Sequence, residues 1–147
     1  MRTVDYDDVP DQPWANGGGR TRELHRDTRW RLSIATISVA GEFSTFPGVD
    51  RTFVVARGSL VLTVAATVHH LGPGDLVRFA GEDAVAAVPN GEVTAVNVMA
   101  HRPHRVEVRV GEAVSAEAVV DLTTLRTYFA VAPGDVSVRG VVVDGIA

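Results

Sequence analysis

The chain of 147 residues contains no cysteine and no lysine. Without cysteine, disulfides, thiolate metal sites and cysteine nucleophiles are excluded. All fourteen basic residues are arginine, and the formal net charge is −4 at pH 7. Because the balance is acidic and no basic cluster carries interleaved aromatic residues, we expect no nucleic-acid partner.

Long apolar runs and helical periodicity are also missing. No apolar stretch approaches the ~20 residues needed to cross a bilayer. The first eight residues are acidic and lack the apolar centre of a signal peptide. We therefore expect a cytoplasmic protein with no membrane partner. With 46% hydrophobic and 22% charged residues, the chain is expected to form a single domain, residues 1–147, around one core.

Short runs rich in Val, Ile, Thr and Phe alternate with Gly, Pro, Asp and Asn, a pattern typical of an all-β sandwich or barrel. Turn chemistry at residues 57–58, 72–75, 89–91 and 133–135 predicts antiparallel hairpins. The predicted strands are residues 21–25, 30–39, 52–57, 60–64, 67–71, 76–79, 85–88, 93–99, 105–110, 118–121, 126–132 and 136–143.

Two segments resemble one another: residues 53–64 and residues 129–140 each read as a strand, a tight glycine turn and a second strand. An Arg-Thr pair precedes each of them. We interpret this as a duplicated β-barrel, with residues 13–104 as the first, complete repeat and residues 105–147 as a shortened second repeat. A chance likeness between two hairpins is the alternative, because turn chemistry recurs widely.

Four blocks carry a family resemblance. Residues 13–24 begin Pro-Trp-Ala-Asn-Gly-Gly-Gly-Arg-Thr, and residues 30–35, 41–51 and 97–99 follow in order. Together they resemble the HutD/Ves family of the cupin superfamily. The resemblance implies an RmlC-like cupin, a jelly-roll β-barrel. Three departures are Ala15, where the family commonly has Lys, Ala95, where it often has Asp, and the short C-terminal half.

Cupins commonly bind a metal through two His and a Glu in one motif and a third His in the next. When Gly58 is aligned with the glycine that closes the first motif, Arg51 takes the place of the Glu, and residues 43–48 hold no His. The position of the third His falls at about Val85. The five histidines form no cluster at ligand spacing. We therefore predict no metal and no cofactor.

Strand alternation groups candidate pocket residues on shared faces. Arg51 lies on the same face as Phe53, and Asn97 on the same face as Ala95 and Met99. An arginine inside a barrel is costly unless paired, so Arg51 needs Asp50, Glu23 or a ligand carboxylate as its partner. The same alternation places Arg31, Ser33 and Ala35 together, opposite three apolar residues. A placed polar group in an apolar wall is typical of a ligand pocket.

The run from Asn16 to Gly19 is predicted to form a loop, because glycine packs nothing inside a strand. Its N–H groups then form a nest for an anionic ligand, or else the loop merely crosses the rim of the barrel. The predicted ligand-binding residues are Trp14, Asn16, Thr21, Glu23, Ser33, Phe43, Phe46, Asp50, Arg51, Asn97 and Met99.

We interpret the chain as a metal-free cupin that binds a small carboxylate and has no catalytic role. The resemblance implies a regulator or sensor linked to histidine utilisation or stress response, with urocanate or formylglutamate as ligand. One alternative is a metal-independent isomerase or lyase acting on a small acid or sugar derivative, with Glu23 or Asp50 as base. Another is an interaction module whose sheet edge pairs with a partner or forms a homodimer.

Overall fold

A computed structural model describes residues 1–147 as an all-β protein with one short 3-10 turn at Tyr6–Asp8. The strands are β1 (Arg2–Val4), β2 (Asp11–Pro13), β3 (Gly19–Arg26), β4 (Trp30–Ile37), β5 (Gly41–Glu42), β6 (Val49–Val64), β7 (Thr67–Leu71), β8 (Leu76–Ala80), β9 (Val85–His101), β10 (Val106–Glu112), β11 (Ala116–Asp121), β12 (Thr127–Val131) and β13 (Arg139–Ile146). No helix is long and apolar enough to span a membrane.

The strands form two antiparallel sheets. The larger sheet has eight strands and follows the order β2-β3-β4-β9-β6-β7, with β5 added on β9 and β8 added on β6. The smaller sheet has five strands in the order β1-β12-β11-β13-β10. The all-β prediction is confirmed. The pairing leaves the larger sheet open between β2 and β7, so the predicted closed barrel is not formed.

Strands β6 and β9 run through the two segments that the sequence predicts as turns at residues 57–58 and 89–91. These hairpin predictions are wrong. Gly58 and Gly91 do have positive φ, at 81° and 72°, but register shifts around Arg57 mark a β-bulge inside a continuous ladder. A bulge bends a strand without ending its pairing. The glycines therefore bend two long strands together.

The bend divides the larger sheet into two layers. The first half of β6 pairs with β8, whereas the second half pairs with β7. The inner faces of both layers meet in a cluster of 13 buried residues that includes Phe53, Val55, Leu62 and Val85. This packing positions the pocket described below, which lies on the same inner face of the first layer.

The outer face of the first layer packs against the smaller sheet. Leu32, Ile34 and Val98 meet Val120 and Val141 in a buried cluster of 16 residues. Trp30, which begins β4, is 2% exposed in the same cluster. Since this cluster draws on both sheets, the two sheets share a core.

The C-terminal part of the chain forms most of the smaller sheet, and β1 completes it by pairing with β12. The sheet is therefore not confined to residues 105–147. Residues 129–140 contain a turn at Gly134, but β12 and β13 pair with other strands and not with one another. Neither copy of the predicted repeat is a hairpin. The assignment of residues 105–147 as a shortened second repeat stays a prediction.

Candidate functional site

A cavity of about 370 Å³ opens on the inner face of the first layer. Ten of the eleven predicted ligand-binding residues line it. They are Trp14, Asn16, Thr21, Glu23, Ser33, Phe43, Phe46, Arg51, Asn97 and Met99. Sequence positions far apart in the chain are thus brought to one place by the loop between β2 and β3, by β3, β4, β6 and β9, and by the segment after β5. The space at this end of the sheet is therefore a cavity and is not filled by the protein's own side chains.

The wall of the cavity is made of rows that cross the sheet. Arg31 on β4 pairs with Met99 on β9, and Met99 pairs with Arg51 on β6. In the next row Ser33 pairs with Asn97, which pairs with Phe53. Because side chains alternate along each strand, these residues face the cavity while their neighbours enter the shared core. The predicted alternation is confirmed.

Arg51 lies in the polar part of the cavity and is only 6% exposed. Its guanidinium donates long hydrogen bonds to Oδ1 of Asn97, at 3.3 Å, and to the carbonyl of Ser44, at 3.4 Å. Its Nε is buried and has no hydrogen-bond partner. The guanidinium is therefore held in position but only partly satisfied.

Three aromatic rings surround the same guanidinium. Its carbon lies 5.0 Å from the ring centre of Phe79, 5.2 Å from that of Phe46 and 5.6 Å from that of Phe43. Cation–π attraction and exclusion of water both follow from this arrangement. Burial, and then repulsion from Arg31, lowers the pKa of Arg51 to about 10, so the side chain stays positively charged at neutral pH.

No carboxylate pairs with Arg51, although the sequence analysis named Asp50 and Glu23 as candidate partners. The side chain of Asp50 is directed away from the cavity and binds Arg102 at 2.7 Å. Asp50, which the sequence predicted as a ligand-binding residue, does not line the cavity, because adjacent strand residues point to opposite faces. Glu23 does line the cavity but binds other arginines.

Glu23 sits between two arginine side chains. Its Oε1 lies 2.5 Å from Nε of Arg26 and 3.6 Å from Nε of Arg31. Hydrogen bonding from Arg26 lowers the pKa of the Glu23 carboxyl, and this effect outweighs burial, which raises the pKa. A general base needs a pKa closer to the working pH, so the geometry favours Glu23 as a fixed negative charge.

Trp14 and the loop after it form the entrance to the cavity. The Trp14 indole donates to Oγ1 of Thr21 at 2.7 Å and packs edge-on against Phe43, with ring centres 5.9 Å apart. A Cβ on Gly19 would lie 2.5 Å from the carbonyl oxygen of Thr36. The close approach of two backbones therefore explains the glycine that begins β3.

Asn16 organises this loop. Its Oδ1 accepts a hydrogen bond from the Gly18 N–H at 2.8 Å, and its Nδ2 donates to the Glu42 carbonyl at 3.4 Å. The Gly17 N–H donates to the Trp14 carbonyl. The predicted loop is confirmed from Asn16 to Gly18, whereas Gly19 already begins β3. The predicted anion nest is not formed by Gly17 and Gly18, since both N–H groups are used inside the loop.

Several cavity residues were missing from the sequence-based set. Arg31 and Phe53 carry the clearest signal, because the alternation of β4 and β6 already placed them beside Ser33 and Arg51. Ala35 shares the signal of β4, whereas most of the others lie outside the strands that alternation grouped. These others are Gln12, Pro13, Ala15, Ile37, Glu42 and Ser44.

No group of three or more His, Cys, Asp or Glu side chains lies close enough to hold a metal ion. His69 and His70 are adjacent on β7, so they point to opposite faces. The predicted absence of a metal stays a prediction.

Comparisons with known proteins found relatives of this chain. The family model described as HutD matches residues 6–144. Protein Ves of Citrobacter koseri is 37% identical over 123 residues, covering 76% of this chain and 64% of that protein. A 21.2 kDa protein in the hutC 3′ region of Pseudomonas putida is 36% identical over 120 residues, covering 75% and 61%. The chain thus spans under two thirds of the length of these relatives.

Solved structures give the same picture of the fold. HutD from Pseudomonas fluorescens SBW25, in a formate condition, matches with a TM-score of 0.80 and 25% identity over 99% of this chain and 97% of that one. An RmlC-like cupin from Shewanella frigidimarina matches with a TM-score of 0.57 and 12% identity over 70% and 96%. The fold is therefore cupin-like.

Proposed function

The chain belongs to the HutD family, also called HutD/Ves, and from this membership we propose that it binds a small carboxylate at Arg51 without a metal. We further propose a role as a sensor or regulator linked to histidine utilisation or stress response. Urocanate and formylglutamate are the proposed ligands.

The observation that carries this proposal is the buried Arg51 guanidinium, which has no carboxylate partner. Removing a charge from water is costly unless it is paired. A planar guanidinium matches a carboxylate through two parallel hydrogen bonds. Since Arg51 lines an open cavity, a ligand carboxylate can pair with it and offset the cost of burying its charge.

The cavity has the size and chemistry of a small-molecule site. Its volume of about 370 Å³ falls in the range of roughly 300–1,000 Å³ typical of ligand pockets. Phe43, Phe46 and Phe53 supply apolar walls, and Ser33 and Asn97 supply placed polar groups. The P. fluorescens HutD in its formate condition suggests formate as a minimal carboxylate probe.

Isothermal titration calorimetry of the purified chain with urocanate, formylglutamate and formate tests the proposal. We expect at least one acid to bind, and Arg51→Gln to weaken binding by at least about 100-fold, since charged hydrogen bonds contribute about 1.5–3 kcal/mol each. Arg57→Gln is the matched control, because Arg57 lies on the same strand but is exposed and binds the Thr123 carbonyl. No binding of any acid, or equal loss in both variants, would refute the proposal.

A further inference from the structure

Arg31 is a second guanidinium in the cavity. It lies in one row with Met99 and Arg51, two strand spacings across the sheet, which places the two arginine backbones about 10 Å apart. Both side chains approach the same ring: the guanidinium carbon of Arg31 lies 5.8 Å from the centre of Phe46, and that of Arg51 lies 5.2 Å from it. Two positive charges therefore face one small space.

Arg31 is weakly held where it lies. Its Nε is buried without a hydrogen-bond partner and lies 3.6 Å from Oε1 of Glu23. Its NH1 reaches only the Met99 sulfur, at 4.0 Å. Burial, and then repulsion from Arg26, lowers the pKa of Arg31. Its hydrogen-bonding capacity is thus largely unused.

The one carboxylate beside Arg31 is already occupied. Glu23 receives two hydrogen bonds from Arg26, at 2.5 Å and 3.3 Å. Arg26 is an exposed side chain outside the cavity lining. Glu42 supplies the other carboxylate of the lining. It is exposed at the end of β5 and forms no ion pair with Arg31 or Arg51. The lining therefore holds two arginines and two carboxylates, but neither carboxylate pairs with Arg51, and Glu23 is shared between Arg26 and Arg31.

From this geometry we propose that Arg31 is a second anion-binding residue and that the ligand is a short dicarboxylate. One carboxylate binds Arg51 and the other binds Arg31, replacing its long contact with Glu23, which keeps Arg26 as partner. This inference rests on the proposed carboxylate site at Arg51. It selects acids with two carboxylates, such as formylglutamate, over acids with one, such as urocanate.

The test compares glutarate with its monoamide, which has the same length but one charge fewer. Calorimetry at pH 7 is carried out on the unmodified chain, on Arg31→Gln and on Arg51→Gln. The matched control is Arg20→Gln, which removes an exposed arginine that pairs with Asp11 outside the cavity. Thermal unfolding of each variant establishes that it is folded.

We expect the unmodified chain and Arg20→Gln to bind glutarate at least about tenfold more tightly than the monoamide, because a second charged hydrogen-bonded pair forms. In Arg31→Gln this ratio should fall below about twofold, while Arg51→Gln loses both acids. If the unmodified chain binds both acids with equal affinity and Arg51→Gln abolishes the binding of both, the dicarboxylate inference is overturned. The Arg51 site remains supported by that result. No binding of either acid would overturn both.

Glu23→Gln gives a second test that does not remove an arginine. Without the Glu23 charge, Arg31 is more available, so glutarate affinity should rise by about threefold or more, and by a larger factor than monoamide affinity. A fall in glutarate affinity in this variant would contradict the role of Arg31.

Discussion

At the scale of single residues, Arg51 combines a cost in stability with a capacity for binding. It is buried, its Nε is unsatisfied, and its two hydrogen bonds are long. Functional sites commonly retain such groups at the expense of folding free energy. The ligand-free chain should therefore become more stable when the charge is removed.

Replacing Arg51 by Met keeps the apolar stem among Phe43, Phe46 and Phe79 and removes the charge. We expect Arg51→Met to raise the free energy of unfolding by roughly 1–3 kcal/mol, measured by urea denaturation without ligand. Arg57→Met, at an exposed position on the same strand, should change it by less than about 0.5 kcal/mol. A clear loss of stability in Arg51→Met would show that the guanidinium is satisfied in the folded state.

Much of the site was predictable residue by residue. The two-residue alternation placed Arg51, Asn97, Met99 and Ser33 on inward faces, and the structure confirms it. The same rule excludes Asp50, which follows from its position next to Arg51. Alternation does not predict which ion pairs form. Only the structure shows that Glu23 is shared between two arginines.

At the scale of elements, turn chemistry predicted the right local conformation but the wrong strand boundaries. Gly58 has a positive φ in β6, as a tight turn would require. Positive φ serves a turn and a bulge equally well, so the sequence does not distinguish them. Only the long pairing of β6 with β9 makes it a bulge.

Gly58 also lies against the neighbouring strand, where a Cβ would come within 2.6 Å of the Glu92 carbonyl oxygen. Gly58→Ala should therefore lower the free energy of unfolding by about 2–4 kcal/mol, because strain and a clash add. Gly91→Ala is the control: φ is 72° but no atom lies within 4 Å of its Cβ position, so a loss nearer 1 kcal/mol is expected. If urea denaturation shows the same loss of unfolding free energy in both variants, the clash is not a cause of the loss in Gly58→Ala.

The turn between β3 and β4 depends on Asp27. Burial raises the pKa of its carboxyl, but hydrogen bonds from the backbone N–H groups of Arg29 and Trp30, and then from His25, hold that pKa well below its usual range. A carboxyl with a lowered folded-state pKa stabilises the protein above its unfolded-state value of about 3.9. This contribution is lost as the pH falls below about 4.

Asp27→Asn removes the titrating group. We expect the variant to be less stable than the unmodified chain at pH 7, by about 1–2 kcal/mol, and the difference to shrink as the pH is lowered from 5 to 2. Urea denaturation at successive pH values measures it. A difference that stays constant with pH would show that the Asp27 carboxyl is not stabilised by its charge.

At the scale of the whole molecule, the two sheets share a core, and we predict from it that they fold as one unit. Leu32 and Val98 from the larger sheet contact the same cluster as Val120 and Val141 from the smaller sheet. The N-terminal strand β1 belongs to the C-terminal sheet. This pairing joins the N-terminal strand to the C-terminal sheet. Neither the composition nor the turn residues predicted it.

We expect a single cooperative unfolding transition, with equal calorimetric and van't Hoff enthalpies, in differential scanning calorimetry. Two separate transitions would show that the sheets are independent domains. The homodimer predicted for this fold stays a prediction.

A crystal structure of the chain with formylglutamate tests most directly whether the cavity is a carboxylate site. We predict ligand density in the cavity, with a carboxylate about 2.7–2.9 Å from the nitrogens of Arg51. A crystal grown at saturating formylglutamate that shows only water beside Arg51, or the acid bound elsewhere, would contradict this prediction.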